Sequence, residues 1–369
     1  MNLPIYQSIK NMMHSSVVDP IANPIVLPRG CTFEASDWQI LARFWHPVAF
    51  GHEVTDRAPY AAKLLDERLV LFRSRSGAIT AAQDLCLHRG VPLSMGWVEN
   101  DQLVCKYHGI CYDPSGQCIK IPAQPDASIP SRLKLKLYSV REAYGLVWVK
   151  LLGDEFADRY FPQFPEWNEQ DYNGEYIQVL PDSVSMKAAA GRQMEGFLDV
   201  SHFAFVHDTS FGERDNPIVP DYPVEVTSNG FTADYVSTVS NYAHGSKHLN
   251  PPGFQWRRWF QVWLPFTAKL TVFFPDGELH IMNAASPVSA RETRLFVPIA
   301  RNFDRDFPLQ NVLDFNQQIF SEDQAVVEQQ YPEDLPLRLQ DEVHISGDRS
   351  SIAYRKGLAE LGLGRSFSA

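Results

Sequence analysis

The chain is short of cysteine, of basic charge and of unbroken apolar sequence, and each shortage closes a class of function. Five cysteines, Cys31, Cys86, Cys105, Cys111 and Cys118, occur among 369 residues. A small, odd number does not make a disulfide framework, so a cysteine cluster here reads as a metal or redox site. Lysine and arginine together number 33 against 44 acidic residues, a net charge of −11. That balance, with no Lys/Arg run, opposes phosphate-rich partners, and no nucleic-acid partner is expected. No apolar stretch has the ~20 residues needed to span a bilayer. The first 37 residues lack the basic start and apolar run of a secretory signal. The expected location is cytoplasmic, with no membrane partner.

What is present is a globular composition, 44% hydrophobic and 21% charged, with length for two domains. Residues 1–37 carry scattered proline and no periodicity and are expected to form an N-terminal extension. From Trp38 to about residue 155, short β-type runs such as RLVLFRS and GLVWVKLL alternate with turn signals at Ser76-Gly77, Glu99-Asn100-Asp101 and Pro114-Ser115-Gly116. This predicts a small all-β domain of hairpins. Pro162, Pro165 and Trp167 mark a linker, and residues 156–369 read as a second domain. There MKAAAGRQMEGFLDVSHF predicts a helix, and the segments from PVEVTSNGFTADYVSTV to TRLFVPIA predict an antiparallel sheet. Two closing helices are predicted in VLDFNQQIFSEDQAVVEQQ and SSIAYRKGLAELG. The fold class is α+β.

Two of the scarce cysteines sit in CLHRG, residues 86–90, and CKYHG, residues 105–109. Each pentad offers one cysteine and one histidine: Cys86 with His88, Cys105 with His108. Structural zinc is the ordinary use of two Cys and two His, but zinc fingers present their cysteines as one pair and their histidines as another. One of each from two opposed loops fits a Rieske [2Fe–2S] cluster, with two thiolates on one iron and two imidazoles on the other. Gly90 and Gly109 are expected to let backbone N–H groups approach the sulfurs. Cys111 and Cys118 flank a turn and read as buried or cross-strand thiols.

The second domain carries GFLDVSHFAFVHD, residues 196–208. Asp199 and His202, three apart, would face one side of a helix, where the carboxylate can hold the second imidazole N–H. His207 lies five beyond His202, about 140° around an ideal helix. Both reach one metal only if the helix ends or bulges between them. A third ligand is sought in SEDQAVVEQQ. Asp323 has Ile319, Phe320, Val326 and Val327 at its i±3 and i±4 positions, an apolar face on which a carboxylate is costly to bury without a cation. Glu322 and Glu328 have Gln318 and Gln324 among their neighbours and are expected to face water. His202, His207 and Asp323 then complete a two-histidine, one-carboxylate triad for non-haem Fe(II).

With these motifs, and with FWHPV, YGLVWV and IAYRK, the chain resembles the terminal oxygenase component of the Rieske non-haem iron oxygenases from about residue 40 to 360. It is most similar to the α-only branch of vanillate-type and dicamba-type O-demethylases, purine-alkaloid N-demethylases and paralytic shellfish toxin alkaloid oxygenases. The resemblance implies an N-terminal Rieske domain, a helix-grip catalytic domain and a head-to-tail homotrimer. It also implies a separate NAD(P)H-dependent flavin/[2Fe–2S] reductase or a ferredoxin. The expected reaction is a monooxygenation by O₂ that hydroxylates, or oxidatively N- or O-dealkylates, a small aromatic or heterocyclic substrate. The alternatives are a cis-dihydroxylating arene dioxygenase and a Rieske electron-transfer protein. In the resembling family the Rieske histidine matching His108 meets a neighbouring subunit, which makes Asp199 the expected bridge in a relay His108–Asp199–His202.

Two positions depart from the family pattern. Ile110 stands where tryptophan is usual, and Gly196 stands where the branch carries asparagine, a change expected to enlarge the pocket. His280 and Asn283, on ELHIMNAA, are expected polar anchors for the substrate. The loops lack the extra cysteine pair of respiratory Rieske proteins, with Val91 and Tyr107 in the corresponding places, which favours an oxygenase.

Overall fold

The structure is a computed structural model and describes residues 26–153, 156–167, 174–306 and 308–364. Most of the expected N-terminal extension lies outside these residues. Helix α1, Ala35–Leu41, buries Trp38 and Leu41 against the core. A six-stranded sheet follows in the order His46–Phe50, Leu146–Lys150, Leu137–Ala143, Ile79–Gln83, Glu67–Arg73, Tyr60–Leu64. A smaller four-stranded sheet, Trp97–Glu99, Gln102–Val104, Cys111–Tyr112 and Cys118–Lys120, stands beside it. The three turn signals of this half each join adjacent antiparallel strands.

Three hairpins close through two residues that both have positive φ: Leu65-Asp66, Asn100-Asp101 and Tyr144-Gly145. That is the backbone of a type I′ turn, whose twist matches the strands it joins. Asn-Asp is a readable signal for it, whereas Leu65 is not. The Leu65 and Asp66 amides donate to the carbonyls of Pro287 and Val288, and the Asp66 carboxylate accepts from Thr32. Contacts from the other half of the chain therefore hold this turn.

The second half is built on a nine-stranded antiparallel sheet whose central strands are Gly230–Ser237, Trp256–Trp263, Thr267–Phe274 and Gly277–Ser289. Every residue from Thr267 to Val272 is buried, since both faces of that strand are covered. Helices α2 (Ala190–Leu198), α3 (Phe203–Val206), α4 (Leu309–Val327) and α5 (Arg349–Glu360) follow in chain order. Helix α2 is almost wholly buried, and its polar side chains are matched one by one. Gln193 exchanges two hydrogen bonds with Asn283, Glu195 takes a bidentate pair from Arg355 of α5, and Arg192 donates to the Pro332 carbonyl and Glu342. Buried polar groups matched in this way fix how α2 sits between the sheet and α5. The two halves share an apolar core, with the Phe50 and Phe296 rings at 5.2 Å. Among the described residues no helix is long and apolar enough to cross a membrane.

Candidate metal centres

The CLHRG and CKYHG loops fold as near-copies. In each, the cysteine amide donates to a carbonyl five residues on, Cys86 to Val91 and Cys105 to Ile110, and the glycine amide donates back to the cysteine carbonyl. Gly90 and Gly109 sit at φ +73° and +68°, a conformation strained for any side chain. Their own amides satisfy the cysteine carbonyls, and the backbone N–H groups that approach the Cys105 sulfur, as expected, are those of Tyr107 and His108. The matched turns bring like ligands together. His88 and His108 face each other at the exposed tip, Nδ1 to Nδ1 at 3.1 Å, while Cys86 and Cys105 are buried behind them. Burial pushes the Cys105 thiol up, and the neighbouring Cys86 sulfur adds to this. A bound metal, which takes the thiolate, would relieve that cost. Two sulfurs on one side and two imidazoles on the other fit two irons. The Tyr112 hydroxyl lies 3.5 Å from Cys86 Sγ, and Ile110 fills the apolar wall around the cysteines. Cys111 and Cys118 are buried free thiols.

The second centre begins where α2 stops. Asp199 turns extended at φ −75°, ψ 128°, and its carboxylate accepts the Ser201 amide at 2.7 Å. The expected helix over residues 186–203 is thus only Ala190–Leu198, and Asp199 meets His202 through a turn, not along a helix face. His202 caps the start of the four-residue helix α3 and His207 its end. Bracketing one helical turn removes the 140° divergence. The chain then doubles back: the amides of Ser210, Phe211 and Gly212 all donate to the His207 carbonyl. A Cβ on Gly212 would lie 2.2 Å from the Phe203 carbonyl oxygen, so only glycine fits this turn. His207 is stacked on Phe211 and is 2% exposed.

The two imidazoles converge, Nε2 to Nε2 at 3.1 Å. Asp323 Oδ1, from α4, lies 3.5 Å from His202 Nε2 and 3.2 Å from His207 Nε2. These three side chains could hold a metal ion, with ligand atoms all within 4.8 Å of one another. Behind each ring stands another carboxylate: Asp199 Oδ2 is 3.5 Å from His202 Nδ1, and Glu322 Oε2 is 2.8 Å from His207 Nδ1. A carboxylate on Nδ1 fixes the tautomer that leaves Nε2 free for a metal. Burial would lower His202, but Asp199 and Asp323 outweigh it and raise the ring to about 9. Burial would likewise raise Asp323, yet His202 and His207 hold it below the usual carboxylate range. Three carboxylates around two imidazoles call for positive charge, which a divalent cation supplies.

Glu322 does not face water, contrary to expectation. Its carboxylate also accepts from Thr209, Ser210 and Gln318, and these bonds with that of His207 keep it ionised despite burial. The apolar environment expected of Asp323 is incomplete, because Val326 is 48% exposed. Other expectations also shift. Gly196 does not line the cavity at the histidines: a Cβ there would meet Val327 at 3.3 Å, so the glycine serves the approach of α2 to α4. His280 bonds Thr271 and Glu278, and Asn283 bonds Gln193, so neither reaches that cavity.

The cavity measures about 70 Å³ and is walled by Phe197, Phe203, Phe211, Leu270 and Val272. Its polar groups beyond the triad are Asn241, Arg258 and Asn316, none of which the sequence pattern indicated. Larger cavities of about 500 and 550 Å³ lie elsewhere and include neither histidine. The small one is the cavity that His202, His207 and Asp323 line.

Residues 44–139 match the Rieske [2Fe-2S] domain family, and residues 186–363 match the vanillate O-demethylase oxygenase C-terminal domain family. The chain is 32% identical over 330 residues to methylxanthine N1-demethylase NdmA of Pseudomonas putida, covering 88% of this chain and 90% of that one. It is 32% identical over 338 residues to methylxanthine N3-demethylase NdmB of the same organism, covering 89% and 91%. The solved structure of NdmA with caffeine superimposes with a TM-score of 0.74 at 29% identity, covering 87% and 91%. A Rieske domain joined to an oxygenase domain, both retained along nearly the whole of such relatives, means that this chain belongs to the Rieske non-haem iron oxygenases, as a terminal oxygenase component.

Proposed function

We propose that Cys86, His88, Cys105 and His108 hold the Rieske cluster and that His202, His207 and Asp323 hold the mononuclear Fe(II). The observation that carries the second assignment is the matched pair of imidazoles, each with a carboxylate at Nδ1 and Asp323 at Nε2. When bound, the cluster supplies electrons and the mononuclear iron supplies the position at which O₂ reacts. The protein's part is to orient both imidazoles, to wall the cavity with phenylalanine and aliphatic side chains that keep water out, and to seat the substrate. The division follows: residues 38–155 carry the cluster and residues 156–369 the reaction.

As a terminal oxygenase the chain works with a small-molecule substrate, O₂ and a reductase or ferredoxin. The substrate is a small aromatic or heterocyclic compound bearing an N-methyl or O-methyl group, in keeping with the N-demethylases to which it is similar. Hydroxylation of the methyl carbon gives a hemiaminal or hemiacetal that collapses to formaldehyde.

Asp199 is the proposed bridge for the electron. It lines a surface cleft with Tyr331, Val343 and His344, separate from the cavity that His202 lines. Tyr331 and Val343 there are 87% and 94% exposed, and Tyr107 beside His108 is 61% exposed. Large exposed side chains around both ends of the relay suit their meeting across a subunit boundary, as in the homotrimer that the resemblance implies. Mixed trimers test this. Chains with Cys86→Ser and chains with His202→Ala should each be inactive alone and regain NADH-dependent formaldehyde release when co-expressed. Adding Asp199→Ala to the Cys86→Ser chain should remove the recovery. Mixed trimers that assemble and stay inactive would place the electron path within one chain.

A further inference from the structure

Arg258 is fully buried in the strand Trp256–Trp263 and lines the cavity of the iron ligands. Its guanidinium lies 5.4 Å from the centre of the Phe203 ring, which itself stands edge-on to His202 at 5.0 Å. It donates to Ser237 Oγ at 3.4 Å, the Val239 carbonyl at 3.0 Å and Asn241 Oδ1 at 3.2 Å, all neutral acceptors. Among the described residues its Nε has no partner, and it has no access to solvent. A guanidinium carries five N–H donors, so part of its capacity is unused.

Among the described residues no carboxylate pairs with it. Glu213, the acid whose charge it feels, is itself paired with Lys247 at 3.0 Å. Burial lowers Arg258 to about 10, which still leaves it charged at neutral pH. A buried, charged and unpaired arginine is costly to keep, and neutral side chains could bond the same loop without that cost. The carboxylates of the iron site do not pair with it either, since Asp199, Glu322 and Asp323 are engaged by His202 and His207.

We propose that Arg258 binds a carboxylate on the substrate, so that the enzyme acts on an aromatic or heterocyclic acid in its anionic form. The inference rests on the iron-site reading above and adds the charge of the substrate to it. The aliphatic and aromatic walls take the ring, Arg258 takes the acid at one end, and the methyl group is directed to the other end, beside His202 and His207. A charge-assisted hydrogen bond in a site closed to water gives both affinity and orientation.

The test is anaerobic calorimetry on the full-length, iron-loaded protein with benzoate, 4-methoxybenzoate, their carboxamides and caffeine. The acids should bind at least about tenfold tighter than the matched amides and than caffeine. Arg258→Gln should bring acid binding down to the amide level and leave amide binding unchanged, while Arg258→Lys should restore part of the preference. Cluster absorbance and iron content identify misfolded variants. If Arg258→Gln does not fold, the acid-to-amide ratio of the wild type against Arg258→Lys decides. Amides binding as tightly as acids, acids that do not bind at all, or a preference that survives in Arg258→Gln or is unmoved in Arg258→Lys each overturn the proposal. Acids that bind through Arg258 without supporting O₂ consumption would keep the anchor and remove the demethylase reading. With turnover, loss of Arg258 should raise KM for the acid more than it lowers kcat.

Discussion

The two proposed metal centres are assembled by opposite means. The cluster ligands lie between residues 86 and 108, on two loops whose internal hydrogen bonds repeat each other, next to a small sheet with its own apolar core. The iron ligands lie between residues 202 and 323, on a one-turn helix and on α4, and converge only when α4 is seated against α2 and α3. The first centre is a local structure that the chain can form from neighbours in sequence. The second is a property of the packed domain. Damage to helix packing should therefore reach the iron before it reaches the cluster.

The largest effects should come from removing one ligand at each centre. Cys105→Ser should bleach the cluster and stop turnover while one chelatable iron remains. Asp323→Ala should do the reverse, losing that iron and all turnover but keeping the colour. Iron analysis with visible absorption checks both, and a bleached Asp323→Ala would show that the two centres are not independent.

Next in size is Phe320→Ala. This side chain of α4 is 5% exposed, and truncating a buried phenylalanine costs about 3–5 kcal/mol. The urea midpoint should fall, and chelators should strip the mononuclear iron faster, with the cluster spectrum unchanged at low denaturant. Equal loss of both signals would break the contrast.

The joint between the two halves should respond to acid. His46 is buried, bonds the Leu41 carbonyl through Nε2 and packs near Phe266. Burial lowers it to about 4 from an ordinary value of 6.5. The unfolded chain therefore binds a proton that the folded chain refuses, so stability is full above pH 6.5 and is lost as pH falls toward 4. The loss amounts to roughly 3 kcal/mol at most, because each tenfold change in proton affinity is worth about 1.4 kcal/mol. Denaturant curves at pH 7 and pH 5 should separate for the wild type and draw together for His46→Gln.

The smallest effect expected is that of Glu322→Gln, which keeps the shape beside His207 but removes the charge. Loss of such an outer partner weakens metal affinity about 10–100-fold. An iron titration should show this with Asp323 and the cluster intact. An unchanged affinity would mean that His207 is held by its stacking on Phe211 alone.

The same contrast explains what the sequence revealed. The paired C/H pentads were readable because the proposed cluster ligands lie close together in sequence. His202 and His207 were readable as a pair, together with the requirement that the helix break between them, which α3 meets. Asp323 was reached by arguing about a helix face, and that argument misplaced Glu322. A face argument sees only residues within one helix, whereas Glu322 is turned inward by His207, Thr209 and Ser210, more than a hundred residues earlier. Likewise His280 and Asn283 look like anchors on a strand in isolation, but their strand neighbours and α2 satisfy them first.

By itself the sequence determined the fold class, the paired C/H motif and the proposed iron ligands His202, His207 and Asp323, and it resembled the family. The motifs are written in short spacings, periodicity or turn chemistry. Tertiary structure alone decided that Glu322 backs His207, that Gly196 serves helix packing, that Leu65-Asp66 closes a hairpin under contacts from the other half, and that Arg258 faces the cavity without an acid among the described residues. In each case the deciding partner is distant in sequence. Whether a charge is buried and whether it is matched depend on which surfaces close over it, and that is fixed only when sheet and helices pack.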